Sequence, residues 1–384
     1  LEGRLPRAWA LPSYGMGIQL AYDASAEALY LAEHVAPHTN ARIRLTAVNR
    51  AGQESWSHVH DLRGTARSLD LITGRLGTRS LLLAPSHGRA HLFSLSGKPL
   101  PQAPIGTNDG DGGVLAHRFE EWDGDLLLQP VRPPSGPSGI AAYSDSGARL
   151  WFRALEEPVR PARATGPAKY AVFVSDETLY AIDSAGRVRM RLDTGGARHP
   201  GASRGVHLGH AQVWVGVQAN GAVVHIDLQR GKQTVSQPAF RIHHIAPAPG
   251  RLRGRAYLAC GPGGAALYRA DASLLAQPLA QPVLQTVADP ASDVWLAAAA
   301  AGAWHVLAGE ELWFTLSRAG YGREWPLGFW PGEARVPTLL LTQQEGALRA
   351  YAWPGATRTP SAPRSQPASA AGAMGLPSGE TPQR

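Results

Sequence analysis

The sequence has one cysteine, Cys260, in 384 residues. A single thiol excludes an internal disulfide and any metal cluster held by several cysteines. Long hydrophobic runs are also missing. The longest candidate, 294–307, is rich in alanine and is interrupted by Gly302 and His305, and it falls short of the roughly 20 apolar residues that a membrane helix needs. Apolar positions with a helical period are scarce as well, which argues against an α-helical fold.

Charged residues are also scarce, because Asp, Glu, Lys and Arg together make up only 17% of the chain. Almost all of the basic residues are arginine, and the formal net charge is +7. A basic balance of this size fits affinity for nucleic acid or for acidic surfaces. It equally fits a GC-rich genome that favours arginine without any binding purpose, so charge alone assigns no partner.

The clearest structured stretch runs from residue 170 to residue 192. Two short apolar runs, 170–174 and 179–182, are separated by a polar turn, and a third run, 187–192, alternates arginine with apolar residues. Short runs broken by Asp, Ser and Gly are typical of strands joined by hairpins. Strict alternation indicates one buried face and one solvated face. The stretch therefore predicts a three-stranded antiparallel meander.

The turn before the third run ends in a glycine, and turns of this kind recur along the chain. Their glycines are Gly52, Gly97, Gly147, Gly186, Gly231, Gly309 and Gly355. When the 78-residue interval between Gly231 and Gly309 is counted as two periods, the mean spacing is about 43 residues, and the run 265–273 supplies the missing unit without a glycine. A period of about 40–50 residues built from short strands is typical of four-stranded propeller blades.

The fold class predicted from these repeats is all-β, a single β-propeller over residues 1–355 with eight four-stranded blades. Seven blades remain the alternative if the second or third unit is an insertion. The last unit ends at residue 353 without an outer strand, and the N-terminal segment 3–11 is a spare strand that would complete it and close the ring. An unpaired N-terminal arm is the other reading. Residues 356–384 are rich in Pro, Ser and Ala, so we expect a disordered tail.

Several units resemble the repeat of the PQQ-like, or quinoprotein-like, β-propeller family. The run 179–187, LYAIDSAGR, is similar to the best-preserved part of that repeat. The family's Gly-x-x-x-Trp spacing recurs in the pairs Gly52 and Trp56, Gly147 and Trp151, and Gly309 and Trp313, while Met190 takes the tryptophan position after Gly186. The resemblance implies that Trp56, Trp151 and Trp313 dock between neighbouring blades, where each ring buries apolar area and its N–H reaches a carbonyl.

The same resemblance implies three classes of function, and fold alone does not choose among them. The family includes dehydrogenases that bind pyrroloquinoline quinone (PQQ) with calcium, outer-membrane assembly lipoproteins of the BamB type, and sensor domains. Many of the dehydrogenases carry an adjacent cysteine pair, which this chain lacks, and a mature lipoprotein begins with cysteine where this sequence has Leu1. The character of the chain is closest to the non-catalytic scaffold propellers, which implies a bacterial periplasm or cell envelope location.

One oxygen-rich loop has spacing that suits a hard cation. Asn108, Asp109 and Asp111 alternate with glycine, and such a loop can wrap calcium. The second half of an EF-hand is missing from the sequence that follows, and Asx–Gly clusters are also the usual composition of a long turn. A plain turn is therefore the main interpretation of this loop, with a calcium site as the alternative. No other cofactor is expected.

Motifs for catalysis are sparse. Ser203 lies in a Gly-x-Ser-x-Gly pattern, but a polar loop precedes it where a nucleophile elbow needs a strand. His207 with His210, and the adjacent pair His243 and His244, lack an evident third ligand for zinc. Phosphate-binding loops and dinucleotide fingerprints do not occur. These observations favour a non-enzymatic role without settling it.

The arginines give the clearest hint of a binding surface. Arg187, Arg189 and Arg191 share one face of a predicted outer strand, and Arg251, Arg253 and Arg255 repeat the alternation further along. Such faces are commonly just solvated, but a positive stripe can also dock an acidic protein or a phospholipid surface. Aromatic residues are not interleaved with these arginines, which disfavours nucleic acid. We therefore expect a protein or protein complex as partner, with no small-molecule ligand identified.

The sequence thus predicts a non-catalytic interaction propeller, a subunit or accessory factor of a bacterial envelope assembly. The alternatives are a quinoprotein-type oxidoreductase that binds PQQ and calcium, and a ligand-sensing propeller. A cytoplasmic location is not excluded by anything in the sequence.

Overall fold

The regular secondary structure of the described chain is almost entirely β-strand. The structure is a computed structural model that describes residues 7–353 apart from 14–17, 24, 36–41, 63–65, 86–88, 102–104, 106–112, 134, 195–204, 219, 290–291, 300–301, 310, 317–324, 332–337 and 345. Within these residues the one helical element is a short 3-10 helix, Gly250–Leu252. No helix of the described chain has the length and apolar character needed to cross a membrane.

The first half of the chain forms four blades after an N-terminal strand, β1 (Arg7–Pro12). Blade 1 contains β2 (Gln19–Asp23), β3 (Ala28–His34), β4 (Ile43–Asn49) and β5 (Glu54–His60). Blade 2 contains β6 (Ala66–Thr73), β7 (Arg79–Pro85) and β8 (His91–Phe93). Blade 3 contains β9 (Leu115–His117), β10 (Leu126–Val131), β11 (Gly139–Tyr143) and β12 (Arg149–Ala154). Blade 4 contains β13 (Arg160–Ala162), β14 (Ala171–Val174), β15 (Thr178–Ile182) and β16 (Val188–Asp193).

The second half of the chain forms the remaining four blades. Blade 5 contains β17 (Val206–Leu208), β18 (Val213–Val217), β19 (Val223–Asp227) and β20 (Lys232–Ser236). Blade 6 contains β21 (His244–Pro247), β22 (Ala256–Gly261), β23 (Gly264–Arg269) and β24 (Leu274–Leu279). Blade 7 contains β25 (Val283–Ala288), β26 (Val294–Ala299), β27 (Trp304–Ala308) and β28 (Glu311–Leu316). Blade 8 contains β29 (Trp325–Trp330), β30 (Thr338–Gln344) and β31 (Ala347–Trp353).

The eight sheets make an eight-bladed propeller, which confirms the predicted fold class and excludes seven blades. Within each blade the strands pair antiparallel in chain order. The first strands of successive blades contact one another, as β2 contacts β6 and β21 contacts β25, so they lie nearest the axis. The predicted three-stranded meander is present as β14, β15 and β16, with β13 added on the inner side.

The ring is closed by the N-terminal strand. β1 pairs antiparallel with β31, with Trp9 opposite Ala350 and Leu11 opposite Leu348, and so becomes the outer strand of blade 8. The spare-strand prediction is thereby confirmed, with strand bounds of Arg7–Pro12. The predicted tail, 356–384, lies outside the described residues.

The hydrophobic core is divided among the interfaces between blades. Eight clusters of buried residues occur in the described chain, and each one joins two consecutive blades, including blade 8 with blade 1. In β10, Leu126 and Leu128 pack toward blade 4, while Leu127 between them packs toward blade 2. Because side chains of a strand alternate between its faces, a strand buried on both faces reads as a continuous apolar run.

Blade 2 departs from the four-stranded pattern. Its sheet has three strands in the described residues, and the chain beyond β8 approaches it only at isolated bridges, Phe93 with Pro99 and Ala90 with Ile105. Pro99 and Pro101 lie in this segment, and proline has no N–H to give to a ladder. The described part of this segment therefore lies where a fourth strand would be, and it pairs with blade 2 at isolated bridges rather than along a ladder.

Five of the predicted turn glycines, Gly52, Gly147, Gly186, Gly231 and Gly309, lie between the third and fourth strands of their blades. Gly97 follows the third strand of blade 2, and Gly355 lies outside the described residues. Gly52, Gly97, Gly147, Gly186 and Gly231 have φ between 66° and 81°, a backbone region that strongly favours glycine. Blade 6 lacks the glycine, and Ala272 takes the position with φ of 72°. Its N–H bonds the carbonyl of Arg269, as the N–H of Gly186 bonds that of Asp183 in blade 4. The run 265–273 is thus a genuine blade segment.

Candidate functional site: the axial cleft

Two of the sequence-predicted tryptophans join neighbouring blades. Trp56, on the outer strand of blade 1, donates through Nε1 to the carbonyl of Leu95 at 3.0 Å. Trp151, on the outer strand of blade 3, donates to the carbonyl of Ser184 at 3.0 Å. Each ring covers the turn glycine of the next blade, where a Cβ would approach ring carbons at 2.4 Å on Gly97 and at 2.7 Å on Gly186. The glycine therefore provides the space that the indole occupies.

A third tryptophan does the same at ring closure, and the sequence analysis did not assign it this role. Trp9 on β1 donates to the carbonyl of Arg50 at 3.0 Å, and its ring lies 2.4 Å from the Cβ position of Gly52. Trp9 pairs with Ala350 as Trp56 pairs with Ala47. Aligning β1 as the outer strand of blade 8 was the signal that could have identified it.

The remaining docking positions differ. The methyl group of Met190 lies 4.0 Å from the Cβ position of Gly231, so it takes the tryptophan position toward blade 5. Trp313 lies in β28, and its side chain is outside what the structure describes. The blade 7 turn is also tighter, because Ala308 pairs directly with Glu311.

The arginines of blade 4 are held by carboxylates. Arg187 and Arg189 both bond one oxygen of Asp183, at 2.9 and 2.7 Å. Arg191 makes two bonds to Glu156, at 3.0 and 2.7 Å. All three guanidinium groups lie at the solvated edge of the blade, where isolated ion pairs contribute little to stability.

The second arginine set is arranged differently from the strand predicted for it. Arg251 lies in the 3-10 helix, and Arg253 and Arg255 lie in the loop before β22. Prolines at 247 and 249 remove donors that a strand would need, and Gly250 and Gly254 have positive φ. The alternation of arginine here is therefore not a strand face, and this part of the prediction was wrong. Arg251 bonds Asp293 of blade 7 at 3.1 Å.

The predicted calcium loop, Asn108, Asp109 and Asp111, lies outside the described residues, as does Ser203. Among the residues that the structure does describe, no group of three His, Cys, Asp or Glu side chains converges as a metal site would require. Cys260 is buried, and burial raises the pKa of its thiol to about 12. A thiol with that pKa stays protonated near neutral pH and is a poor nucleophile.

At one end of the axis, the loops between the first and second strands of blades 2 to 7 bond to one another. We call these loops the axial collar. It comprises residues 73–78, 118–125, 163–170, 209–212, 248–255, 289 and 292–293. Its backbone bonds link Asp125 to Thr73, Ala168 to Arg118, Ala211 to Gly254 and Gly250 to Asp289, and Thr165 to His207 in the first strand of blade 5, with distances of 2.8 to 3.2 Å. The collar therefore joins six blades at this end through main-chain hydrogen bonds as well as through the core.

A cleft of about 420 Å³ lies beside the collar, between the inner strands of blades 2, 3 and 4. That volume is within the range of about 300–1,000 Å³ typical of ligand sites. Arg163, at the end of β13, crosses it and bonds both carboxylate oxygens of Asp70 on β6, at 2.8 and 3.0 Å. The pair joins blade 4 to blade 2 past blade 3. A bidentate arginine–carboxylate pair of this kind fixes the orientation of the guanidinium as well as its distance from the carboxylate.

A second ion pair lies in the same cleft. Arg118 donates to Asp125 at 2.7 Å, and the other oxygen of Asp125 accepts the backbone N–H of Thr73 at 2.7 Å. The hydrogen bond to Asp125 raises the pKa of Arg118 above its usual value. The side chains of Arg163 and Arg118 are 57% and 40% exposed, whereas those of Asp70 and Asp125 are 17% and 12% exposed. In each pair the guanidinium is therefore the member more open to solvent, although Asp123 also acts on the charge of Arg118.

His117 lines the same cleft and is almost completely buried. Burial lowers its pKa to about 4, although Asp125 and a hydrogen bond to the backbone of Tyr170 partly oppose this. Within the described chain its Nε2 has no hydrogen-bond partner. His207 is also buried, and burial together with the nearby His117 lowers its pKa to about 3. Both of its ring nitrogens lack a hydrogen-bond partner among the described residues. A neutral, unsatisfied imidazole therefore contributes to the wall of the cleft.

This arrangement can bind and orient a ligand, because it combines the exposed guanidinium groups of Arg163 and Arg118 with Nε2 of His117, which has no hydrogen-bond partner among the described residues. Sequence reasoning missed it for a geometric reason: Asp70 and Arg163 are 93 positions apart, and only the packing of blades 2, 3 and 4 around the axis brings them together. No local spacing marks either residue.

Comparison with known proteins gives the fold. No protein-family model matches the chain, and no curated protein matches it in sequence. Among solved structures, Sqt1 from Chaetomium thermophilum is similar with a TM-score of 0.65 and 12% identity, covering 91% of this chain and 99% of that one. BamB from Moraxella catarrhalis has a TM-score of 0.55 and 12% identity, covering 91% of this chain and all of that chain. Sqt1 bound to the N-terminus of the ribosomal protein L10 has a TM-score of 0.58 and 13% identity, covering 85% and 94%. At such identities the likeness shows a β-propeller fold alone.

Proposed function

We propose that this chain is a non-catalytic interaction propeller that binds a segment of a partner protein in the axial cleft. The observation that carries the proposal is the cleft itself. It is a concave site between three inner strands, with Arg163 and Arg118 positioned by carboxylates anchored in the sheets and collar. Concavity with a few convergent polar groups is the usual form of a binding site.

A rigid frame supports this role. The tryptophan contacts, the eight interface clusters and the axial collar hold the inner strands in place. A preorganised site loses less conformational entropy on binding than a flexible one. Among similar folds, Sqt1 has been solved with the N-terminus of a ribosomal protein bound, so a propeller of this general shape can accept a terminal segment of another protein.

The proposal also covers the repeat family of the chain and its cellular location. We assign the repeats to the PQQ-like type on the Gly-x-x-x-Trp spacing, and we place the chain in a bacterial envelope assembly by the resemblance to BamB-type scaffolds. The rim arginines Arg187, Arg189 and Arg191 are a second contact surface within this proposal. Calcium in the loop that contains Asn108, Asp109 and Asp111 stays a prediction.

Affinity capture from a native envelope extract tests the function. Wild-type protein, a cleft variant (Arg163→Gln with Arg118→Gln) and a control variant (Arg230→Gln) are compared by quantitative mass spectrometry. Arg230 suits the control because it is 81% exposed on the turn before β20, away from the cleft. The proposal predicts a protein retained by wild type and control and reduced at least about tenfold by the cleft variant, since hydrogen bonds to charged groups contribute about 1.5–3 kcal/mol.

Two results would overturn it. One is equal recovery of every captured protein by all three forms. The other is a rise in melting temperature with PQQ and calcium together, which would favour the quinoprotein alternative.

A further inference from the structure

The charge and hydrogen-bonding capacity of the axial cleft indicate what kind of segment fits there. In both ion pairs the carboxylate is the buried member and the guanidinium is the exposed one. Each guanidinium has five N–H donors. Arg163 uses two of them on Asp70, and Arg118 uses Nε on Asp125. Donors on both arginines are therefore left for a ligand, and an anionic group satisfies them best.

His117 adds a second requirement, which narrows the chemistry further. Its bond to the backbone of Tyr170 favours the protonated ring, as a bond to a carbonyl acceptor does. A neutral imidazole that donates through one nitrogen accepts through the other. Nε2, the atom without a partner among the described residues, is then a buried acceptor on a residue that lines the cleft. A buried acceptor left unsatisfied costs free energy that a ligand N–H or O–H would recover.

A ligand that uses all of these groups offers an anion to the two arginines and a hydrogen-bond donor to His117. A fully ionised phosphate offers acceptors only, whereas an acidic residue in an extended chain offers a carboxylate and a backbone N–H a few ångströms apart. We propose that the axial cleft binds an acidic segment of a partner protein, whose carboxylates bond Arg163 and Arg118 and whose backbone N–H donates to Nε2 of His117. This inference rests on the proposed function and gives the chemical class of the partner segment.

Fluorescence anisotropy on the full chain tests the inference with a defined probe. The probe is a fluorescein-labelled eight-residue peptide of alternating Asp, Glu and Gly, and its matched control replaces every Asp by Asn and every Glu by Gln. We expect the acidic peptide to bind and the amide control to bind at least about tenfold more weakly. Raising the salt concentration should weaken binding, because the cleft arginines are partly exposed.

Protein variants locate the binding site. Arg163→Gln is expected to weaken binding at least about tenfold, while Arg230→Gln is expected to leave it within about twofold. His117→Leu removes the acceptor with only a small change in volume, so it should weaken binding of the acidic peptide, while a melting curve reports whether the fold is kept. A further arm uses Arg187→Gln with Arg189→Gln to test the rim.

Each other outcome contradicts the inference in a distinct way. If the amide control peptide binds as tightly as the acidic peptide, the carboxylates do not contribute to recognition. If the variant with Arg187→Gln and Arg189→Gln loses binding but Arg163→Gln does not, the peptide binds at the outer edge of blade 4 and not in the cleft. Inorganic phosphate or free aspartate that binds the cleft while the acidic peptide does not would make it a small-anion site. If affinity capture finds a cleft-dependent partner but the acidic peptide fails, the proposed function stands and this inference falls.

Discussion

Arg163 of blade 4 and Asp70 of blade 2 form a two-bonded ion pair across the axis, past the blade that lies between them. The pair depends on the packing of three consecutive blades, because Asp70 lies on β6 of blade 2 and Arg163 directly follows β13 of blade 4. It also defines one wall of the axial cleft and sets the direction in which the exposed guanidinium points.

The coupling between these residues is measurable. A double-mutant cycle of Asp70→Ala and Arg163→Ala should give a coupling energy of about 0.5–1 kcal/mol, small because Arg163 is more than half exposed. Urea denaturation at low and high salt provides the measurement, and the coupling should shrink at high salt. Additive single effects under both conditions would show that the two side chains do not interact in solution.

The architecture was largely readable from the sequence for a physical reason. Each blade needs the same turn and the same two-faced burial, so Gly186 and its counterparts repeat at blade spacing and the inner strands read as apolar runs. The blade without a glycine was recovered because its strands kept the pattern around Ala272. Pairing of the N-terminal strand with β31 followed from the unit left incomplete at residue 353.

The candidate site was not readable in the same way. Asp70, His117 and Arg163 lie in three consecutive blades, and their meeting depends on how those blades pack rather than on local periodicity. The arginines at 251, 253 and 255 show the opposite error. Their alternation suggested a strand, but nearby prolines and positive-φ glycines form a 3-10 helix and a loop there.

The contact between Trp151 and Gly186 gives a test of inter-blade docking. Gly186→Ala should destabilise the protein more than Gly77→Ala, by about 1–3 kcal/mol, since overpacking costs about that much. Both glycines have positive φ, 78° and 72°, but only at Gly186 would the new Cβ meet a ring, at 2.7 Å. Gly77 has nothing within 4 Å of that position. Equal losses in urea denaturation would show that the backbone conformation, rather than Trp151, sets the cost.

Ala272 gives a test in the stabilising direction. Its φ of 72° is costly for any residue with a Cβ, so Ala272→Gly should stabilise the protein by about 0.5–1 kcal/mol after the greater freedom of glycine in the unfolded chain is subtracted. Ala185→Gly, in the equivalent turn of blade 4 and without positive φ, is the matched control and should be neutral or destabilising. A lower urea midpoint for Ala272→Gly than for the wild type would contradict the assignment of this turn.

The buried histidines predict loss of stability in mild acid. The pKa of His117 is lowered to about 4 and that of His207 to about 3 by burial, against 6.5 in an unfolded chain. As pH falls from 6.5 toward those values, His117 and His207 are protonated in the unfolded chain but stay neutral in the native state. The free energy of unfolding therefore decreases. Each group should contribute a loss of about 1 kcal/mol between pH 7.5 and pH 5.5.

Urea denaturation of the wild type and of His207→Leu at both pH values separates this contribution from that of other acids and bases. The variant should lose less stability than the wild type over the interval by about the contribution of one histidine, whatever its absolute stability. An identical loss in both proteins would mean that His207 is not buried in its neutral form.

The claim on which the functional account depends is that a partner protein occupies the axial cleft. Site-specific photo-cross-linking tests it most directly, with the photoreactive residue placed at Ala164 in the cleft wall or at Val235, which is 48% exposed on the outer strand of blade 5. Each protein is irradiated in the native extract. We predict one partner protein cross-linked from position 164 through an acidic segment and none from position 235. No cross-link from position 164, or the same products from both positions, would contradict the account.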